Sequence, residues 1–140
     1  MASIEPTPEA LQQFLAATGE ETTLVMINLL RYREHADYPE GSDSEACTGR
    51  EAYQRYGDAV FPLLAKVGAR PIWAGAVASA LISPEGETWD DAILVEYPTR
   101  NAFIEMTTSA EYQAIVCHRT AALEDSRLIA TTTSLNQLGE

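Results

Sequence analysis

Two adjacent side chains in the second half of the chain, His118 and Arg119, are of types that carry out chemistry. An imidazole titrates near neutral pH and can act as a general base, and a guanidinium can stabilise negative charge that develops on oxygen. The surrounding spacing predicts a helix on which Arg119 shares the apolar stripe of Tyr112, so we expect its charge to point inward and to be paired. Glu96 and Glu124 are the candidate partners.

Asn28 is the third candidate catalytic residue, because it is a polar residue within an apolar segment. It shares a strand face with Met26 and Leu30, and a buried amide without partners costs about 1–3 kcal/mol. Its amide therefore either orients a ligand or is satisfied by a core or interface hydrogen bond. If the protein is an enzyme, we expect His118 to be the base while Asn28 and Arg119 stabilise an oxyanion.

Four further residues are candidate ligand-binding residues: Arg31, Trp73, Tyr97 and Tyr53. Arg31, at the end of the first strand, either holds an anion at the mouth of a cavity or pairs with loop carboxylates at little energetic benefit. Trp73 and Tyr97 lie on the middle strands, where aromatic side chains more often fill the core than bind ligands. Tyr53 lies on the apolar stripe of the first core helix.

The sequence lacks the spaced motifs of metal, nucleotide and serine-nucleophile sites. It has no HExxH, HxxxH or CxxC spacing, no GxGxxG or GxxxxGK[ST] loop and no GxSxG turn. His35, the other histidine, lies 83 positions before His118 in an acidic segment, and we expect it to be a solvated loop residue. We therefore predict neither a metal nor a cofactor.

The net charge disfavours some classes of partner. With 9 basic and 21 acidic residues the chain carries −12 at pH 7, so we expect binding neither to nucleic acid nor to an anionic membrane surface. An anionic substrate would need a local arginine or a helix N-terminus. Cys47 and Cys117 are scattered thiols, no signal peptide is recognisable, and no apolar run approaches the ~20 residues of a membrane span, so we expect a cytoplasmic protein.

Hydrophobic periodicity and turn residues predict a single domain over residues 1–140. The first half is predicted to hold a helix from Thr7-Pro8, a strand over 23–32, a long acidic loop over 33–48 and a helix over 48–67. A strand over 70–83, a turn at 84–87 and a strand over 89–97 follow. The last elements are a helix over 100–125 with a break at 107–109 and a strand over 127–133. After an N-terminal helical extension over 1–22, the core over 24–133 has the order βαββαβ. This is the α+β, ferredoxin-like plan with a four-stranded antiparallel sheet. The loop is long enough to act as a lid.

The apolar pattern of the strands predicts a homodimer. The first strand is apolar on both faces, and the second carries Trp73 and Val77 opposite a run of alanines. Because both core helices pack on one face, the other face would expose a large apolar surface, which marks an interface or an aggregation hazard. A dimer with the two sheets face to face is the economical solution.

The spaced residues of the core resemble a known family. They are Tyr53 and Tyr56 with Pro62 on the first core helix, Gly68 before the second strand, the strand end Asp91…Val95-Glu96-Tyr97-Pro98, and Glu111-Tyr112-Gln113…Arg119. Over about residues 24–132 this combination resembles domain of unknown function 1330, which belongs to the dimeric α/β-barrel superfamily. The resemblance implies a fold and a dimer rather than an activity. Superfamily relatives include cofactor-free monooxygenases, haem-degrading monooxygenases, haem peroxidases and small isomerases.

Three functions remain open at this point. The first is a homodimer that binds a small, mostly apolar molecule between sheet and helices, with or without cofactor-free acid/base or monooxygenase-type chemistry. The second is a non-catalytic structural or stress-associated dimer, in which the polar residues satisfy one another and leave no cavity. The third is haem binding or degradation through His118, because Asn28, Trp73 and His118 resemble the Asn/Trp/His set of haem-degrading relatives.

Overall fold

A computed structural model describes residues 2–137 of the chain. In chain order its elements are α1 (Pro8–Ala17), β1 (Leu24–Tyr32), α2 (Gly49–Lys66), β2 (Arg70–Ala76), β3 (Asp91–Tyr97), α3 (Arg100–Thr107), α4 (Ala110–Ala122) and β4 (Leu123–Thr131). The strands form one antiparallel sheet in the order β2-β3-β1-β4. After α1, this is the ferredoxin-like βαββαβ fold of the α+β class that the sequence predicts.

Each of these helices begins at a side-chain cap. The oxygens of Thr7, Thr48, Thr99 and Ser109 each accept a hydrogen bond from a backbone N–H in the first turn of the helix that follows. At α2 the side chain of Glu51 returns to the backbone of Thr48 and completes a capping box. The cap at Ser109 follows directly on the end of α3 at Thr107, so the predicted break in the second core helix is confirmed.

The second strand is shorter than the sequence predicts. We expect it to reach Ser83, but β2 ends at Ala76, whose partner in β3 is Asp91. Asp90, the residue before β3, bonds to both neighbouring strands. Its N–H donates to the Leu30 carbonyl, its carboxylate accepts from the Tyr32 N–H, and its carbonyl accepts from the Val77 N–H just after β2. Beyond this point the amides over 78–82 donate no hydrogen bond within residues 2–137, so the pairing stops, and β3 begins at Asp91 rather than at Trp89.

The last helix ends three residues earlier than predicted, and the last strand begins four residues earlier. α4 ends at Ala122 and β4 runs from Leu123, whereas the periodicity predicts a helix to 125 and a strand from 127. The Ala122 carbonyl accepts a hydrogen bond from the N–H of Arg33, the residue that follows β1, and the helix ends at this contact. Leu123 then pairs with Tyr32 beyond an irregularity in the β1–β4 register. Contacts between distant segments thus override the local helical pattern.

The core lies between the sheet and the helices as two neighbouring clusters. Their buried members are Leu24, Met26, Tyr56, Val60, Leu64, Ala69, Tyr97 and Met106 in one, and Leu30, Ala52, Ala122 and Leu123 in the other. Tyr53, on α2, packs against both clusters. It therefore lies at their junction, next to the side of the sheet that carries Asn28.

The acidic segment over 33–48 is irregular but attached to the core. Backbone hydrogen bonds join Ala36 to Cys47 across the segment, and Asp37 to Ala121 at the end of α4. The segment leads into α2 at Gly49, which is buried against the backbone of Arg33 and of Ala122. Close packing of main chain at this point requires the absence of a Cβ.

The opposite side of the sheet is apolar. We call it the open face; its members include Val25, Ile27, Ile72, Trp73, Leu94 and Ile129. Residues from all four described helices pack on the other side of the sheet. A shallow cavity of about 240 Å³ lies on the open face, beneath the segment over 131–136. Within residues 2–137, no helix is both long enough and apolar enough to cross a bilayer.

Candidate functional site

His118 lies at the junction of α4, α2 and the acidic segment. Its Nδ1 atom is 2.7 Å from the hydroxyl of Tyr38, and the two rings meet edge to face. The Nη1 atom of Arg55 on α2 donates to the same hydroxyl oxygen at 3.2 Å and to the Glu45 carbonyl. The three side chains form a hydrogen-bonded row, which we call the His118 row, of Arg55, Tyr38 and His118.

The surroundings of His118 favour its neutral form. Burial lowers the pKa of the imidazole below its ordinary value, and the positive charge of Arg55 lowers it further. If the Tyr38 hydroxyl donates to Nδ1 while accepting from Arg55, the ring proton resides on Nε2. His118 then offers a hydrogen-bond donor to a ligand. The opposite tautomer leaves Nε2 as the free base that the sequence predicts.

Arg119 points inward, as predicted, but its partners differ from the predicted ones. Only 9% of its surface is exposed, and Nη1 donates to the Ile4 carbonyl at 2.7 Å. Its positive charge also lowers the pKa of the neighbouring Tyr53 hydroxyl, against the larger effect of burial. Glu96 pairs instead with Arg70, and Glu124 with Arg31. The prediction of a carboxylate partner is wrong, since no carboxylate of residues 2–137 lies within 4.0 Å of the Arg119 nitrogens.

Tyr53 belongs to a continuous row of tyrosines beneath α2 and α4. Its ring centroid lies 5.6 Å from that of Tyr32 and 5.3 Å from that of Tyr56, whose hydroxyl is 2.9 Å from that of Tyr112. Burial raises the pKa of Tyr53 to about 12, although the Arg119 charge acts in the opposite direction. The Tyr53 hydroxyl is therefore neutral at pH 7 and does not compensate the positive charge of Arg119.

Asn28 is half-buried on the helix side of β1 and weakly satisfied. Its Nδ2 atom is 3.4 Å from the Ile93 carbonyl and 3.5 Å from the Met26 carbonyl, both near the upper limit of a hydrogen bond. Within residues 2–137 its Oδ1 atom has no hydrogen-bond donor. The residue of β4 that pairs with Asn28 is Leu128, which is 46% exposed although it lies on the helix side of the sheet. The helices thus leave this strip of the sheet, Asn28 and Leu128, partly uncovered.

Arg31 lies at the end of β1 among carboxylates. Its nitrogens are 3.6 Å from Glu124 and 3.7 Å from Asp125, and Nη1 is 3.4 Å from the Thr88 hydroxyl. Both carboxylates belong to β4 rather than to the acidic loop. The pairing alternative therefore describes Arg31 better than a free anion site.

Trp73 and Tyr97 lie in different places from the candidate catalytic residues. Trp73 pairs with Leu94, on the open face, whereas Asn28 pairs with Ile93 and lies on the helix side. Tyr97 is buried in the core with its ring edge to face against Phe103. The set of Asn28, Trp73 and His118 is thus divided between two faces of the sheet, and the resemblance to haem-degrading sites loses its geometric basis.

The structure adds two residues that sequence reasoning missed, Tyr38 and Arg55. The available signal was that Tyr38 is the one aromatic ring other than His35 in an acidic segment of 16 residues. Two cavities lie away from the His118 row, one on the open face and one of about 440 Å³ between residues 77–80 and 83–89. Among residues 2–137 no three His, Cys, Asp or Glu side chains cluster as metal ligands would.

Residues 44–133 match the family model described as domain of unknown function (DUF1330), and the match covers more than half of the chain. The chain belongs to this family. The matched range begins inside the acidic segment, so Asn28 and Tyr38 precede the part of DUF1330 that the model describes. No match was found among curated proteins.

Solved structures agree with this assignment. The protein of unknown function RPA0582 from Rhodopseudomonas palustris is 38% identical, with a TM-score of 0.87 over 97% of this chain and all of that one. More distant structures share the fold alone. A dimeric protein of unknown function and ferredoxin-like fold from Bacteroides fragilis is 20% identical (TM-score 0.50; 79% of this chain, 96% of that one). A proposed antibiotic biosynthesis monooxygenase from Bacteroides thetaiotaomicron is 15% identical (TM-score 0.53; 87% and 99%). The chain is therefore a ferredoxin-like member of a family of unknown function.

Proposed function

We propose that this protein is a cytoplasmic homodimer in which each subunit binds a small, mostly apolar molecule that carries a carbonyl, phenolic or carboxylate oxygen. The ligand would lie between α4 and the strip of Asn28 and Leu128. Arg119 would hold its oxygen, and His118 would donate or accept a proton. The observation that carries the proposal is the buried Arg119 guanidinium without a carboxylate partner in residues 2–137.

A buried charge is costly unless it is paired, and its partners here are neutral oxygens. Arg100 provides a comparison, because it is equally buried and also lacks a carboxylate within residues 2–137. Arg100 donates to the Leu15 carbonyl in the last turn of α1, where the helix dipole supplies negative charge. Arg119 itself lies in the last turn of α4, but its Nη1 atom donates to the Ile4 carbonyl, which lies in an irregular segment and not at a helix end. A ligand oxygen in place of the Ile4 carbonyl would supply the missing charge.

The chemistry available to such a site is acid/base chemistry without a metal-ligand cluster. A guanidinium next to a bound carbonyl stabilises an enolate or oxyanion. A neutral His118, held by Tyr38, can transfer one proton at pH 7. Both oxygenation of an activated phenol or enolate and simple proton transfer begin with this step, so the two reaction classes share one test of binding.

The homodimer is the second part of the proposal. The open face combines the apolar side chains of three strands with Trp73, which is 46% exposed in the isolated subunit. Face-to-face packing of two such sheets buries this surface in an isologous contact. A dimer that dissociates in Trp73→Glu but persists in Phe61→Glu, when measured by light scattering, would support this arrangement. Phe61 is the control because it is 60% exposed on α2, on the helix side.

The ligand proposal is tested with ¹⁵N-labelled protein and two probes, benzoate and acetophenone. We expect saturable shifts of the Asn28 side-chain amide and of the Arg119 Nε–H. In Arg119→Met we expect a loss of affinity of about tenfold or more, because a charged hydrogen bond is removed. Arg100→Met is the matched control and should retain the affinity. Equal losses in both variants, or wild-type protein that binds neither probe, would contradict the proposal.

A non-catalytic structural dimer is the second candidate, and a specific observation favours it. Polar side chains of the region already hydrogen-bond one another, Tyr38 with His118 and Tyr56 with Tyr112. The two cavities described above lie elsewhere. This candidate predicts a stable wild-type dimer that binds neither probe, with Arg119→Met affecting stability alone.

A further inference from the structure

The segment between β2 and β3 carries the most exposed large apolar side chains on the described surface. Leu81 and Ile82 are 91% and 95% exposed, well above the exposure of Trp73 on the open face. They lie at the outer end of residues 77–83, which we call the arm. Two adjacent, nearly fully exposed apolar side chains at one tip are unusual for a monomeric surface and indicate contact with another molecule.

The backbone of the arm is unpaired as well. Val77 still donates to the Asp90 carbonyl, but the amides over 78–82 donate no hydrogen bond within residues 2–137. The sequence of the arm nevertheless alternates as in a strand, with Val77, Ser79 and Leu81 on one side. That pattern is the reason why the sequence predicts β2 to extend to Ser83. A segment with strand sequence whose amides have no hydrogen-bond acceptor in the described part of the subunit is available for strand addition.

The base of the arm is fixed rather than loose. After a turn in which the Glu87 N–H donates to the Pro84 carbonyl, the chain returns along the end of the open face. There Arg127 of β4 stacks on the ring of Trp89 at 4.9 Å and pairs with Glu87. The outgoing and returning limbs enclose the cavity of about 440 Å³. The arm is therefore held at the rim of the open face, while Leu81 and Ile82 at its tip are almost fully exposed.

We propose that the arm of each subunit pairs with the second copy of this chain and buries Leu81 and Ile82 against it. This inference rests on the proposed homodimer, because the occupant is the subunit that covers the adjoining open face. Continuity between arm and face favours a second copy over an unrelated partner, since one two-fold contact would cover both surfaces. In an isologous dimer the two arms would make the same contact reciprocally.

Two measurements on the full chain test the proposal. The first is hydrogen exchange of the amides over 78–82, in wild type and in the Trp73→Glu variant. We expect protection in the wild-type dimer and fast exchange in the dissociated variant. The second is the dimer dissociation constant of Leu81→Ser/Ile82→Ser, which should increase about tenfold or more. Because both side chains are exposed in the subunit, we expect the double variant to fold; its thermal midpoint in the Trp73→Glu background should equal that of the parent.

The outcomes separate this inference from the dimer itself. A wild-type dimer with unprotected amides over 78–82 and an unchanged dissociation constant in the double variant would overturn the arm contact alone. A wild-type protein that stays monomeric at all concentrations would overturn both the arm contact and the proposed homodimer. Protection that persists in the monomeric Trp73→Glu variant would mean that the arm pairs within its own subunit, and would also overturn the inference.

Discussion

The hydroxyl of Tyr38 lies 2.7 Å from Nδ1 of His118, although 80 positions separate the two residues in the chain. The contact connects the acidic segment to α4, and Arg55 of α2 completes it from the other side. Two elements other than α4 thus hold this imidazole in place, and the charge of Arg55 adds to the effect of burial in lowering its pKa. This arrangement makes the His118 row accessible to direct measurement.

Replacing Arg55 by Met should raise the pKa of His118. Burial is the main cause of the lowered pKa, and the Arg55 charge is the second, so we expect the value to move toward the ordinary one without reaching it. The measurement is an NMR titration of the imidazole in a His35→Gln background, which leaves one histidine. Arg50→Met is the control, because Arg50 lies over the Tyr32 ring and pairs with Asp91. A pKa of His118 that falls in Arg55→Met would contradict the assignment.

The lowered pKa of His118 predicts a specific pH dependence of stability. The unfolded state binds a proton near the ordinary value of 6.5, while the folded state binds it only at lower pH. The contribution of His118 to the free energy of unfolding is therefore complete above about pH 6.5 and is lost as pH falls through the folded pKa. In chemical denaturation, His118→Gln should show a flatter profile than wild type in this window. The lowered pKa values of Glu51, Glu111 and Asp125 act at lower pH. Parallel profiles of wild type and variant between pH 6.5 and 5 would refute the prediction.

Replacing Tyr53 by Phe should destabilise the protein more than replacing Tyr56 by Phe. The first change removes the hydroxyl dipole that interacts with the buried guanidinium of Arg119, and leaving a buried charge less compensated costs about 1–3 kcal/mol. The second removes a hydroxyl pair with Tyr112, worth about 0.5–1.5 kcal/mol. Free energies of unfolding from denaturant titration give the comparison. In an Arg119→Met background the effect of Tyr53→Phe should shrink, and an unchanged effect there would rule out the coupling.

Replacing Gly49 by Ala should be strongly destabilising. A Cβ at this position would lie 2.6 Å from the Ala122 carbonyl oxygen and 2.7 Å from the Arg33 nitrogen, and would also meet the Arg33 carbonyl. Because these are backbone atoms that cannot rotate away, we expect a loss of about 3 kcal/mol or more. Gly57→Ala, in the interior of the same helix, has nothing within 4 Å and should stabilise by up to about 1 kcal/mol. Similar thermal midpoints for the two variants would show that the acidic segment does not pack as described.

The fold was predictable from the sequence because its signals are local. Caps such as Thr48 with Glu51, and the short, almost continuous apolar run of β1, are specified within a few residues. The errors occur where distant contacts decide. β2 ends where the chain beyond Val77 loses its pairing with the residues before Asp90, and α4 ends where the Arg33 N–H meets the Ala122 carbonyl.

The candidate site was predictable only in part, for the same reason. The helical period predicts that Arg119 points inward, because that depends on its own helix. Its hydrogen-bond acceptor is the Ile4 carbonyl and its charge acts on Tyr53, and no periodic pattern relates those positions to residue 119. Tyr38 was missed because it lies in an irregular segment, where side-chain direction has no period. Trp73 and Asn28 lie on opposite faces of the sheet because they pair with adjacent residues of β3, Leu94 and Ile93, and this register is not visible in either strand's own sequence.

The position of Trp73 on the open face has a practical consequence for optical spectroscopy. The chain has two tryptophans, and Trp89 is held beneath Arg127 with its indole N–H on Glu87. In a Trp89→Phe variant the whole indole emission would come from Trp73. Its wavelength should shift to the blue when water leaves the open face, so a dilution series of the variant would report subunit association without any added dye.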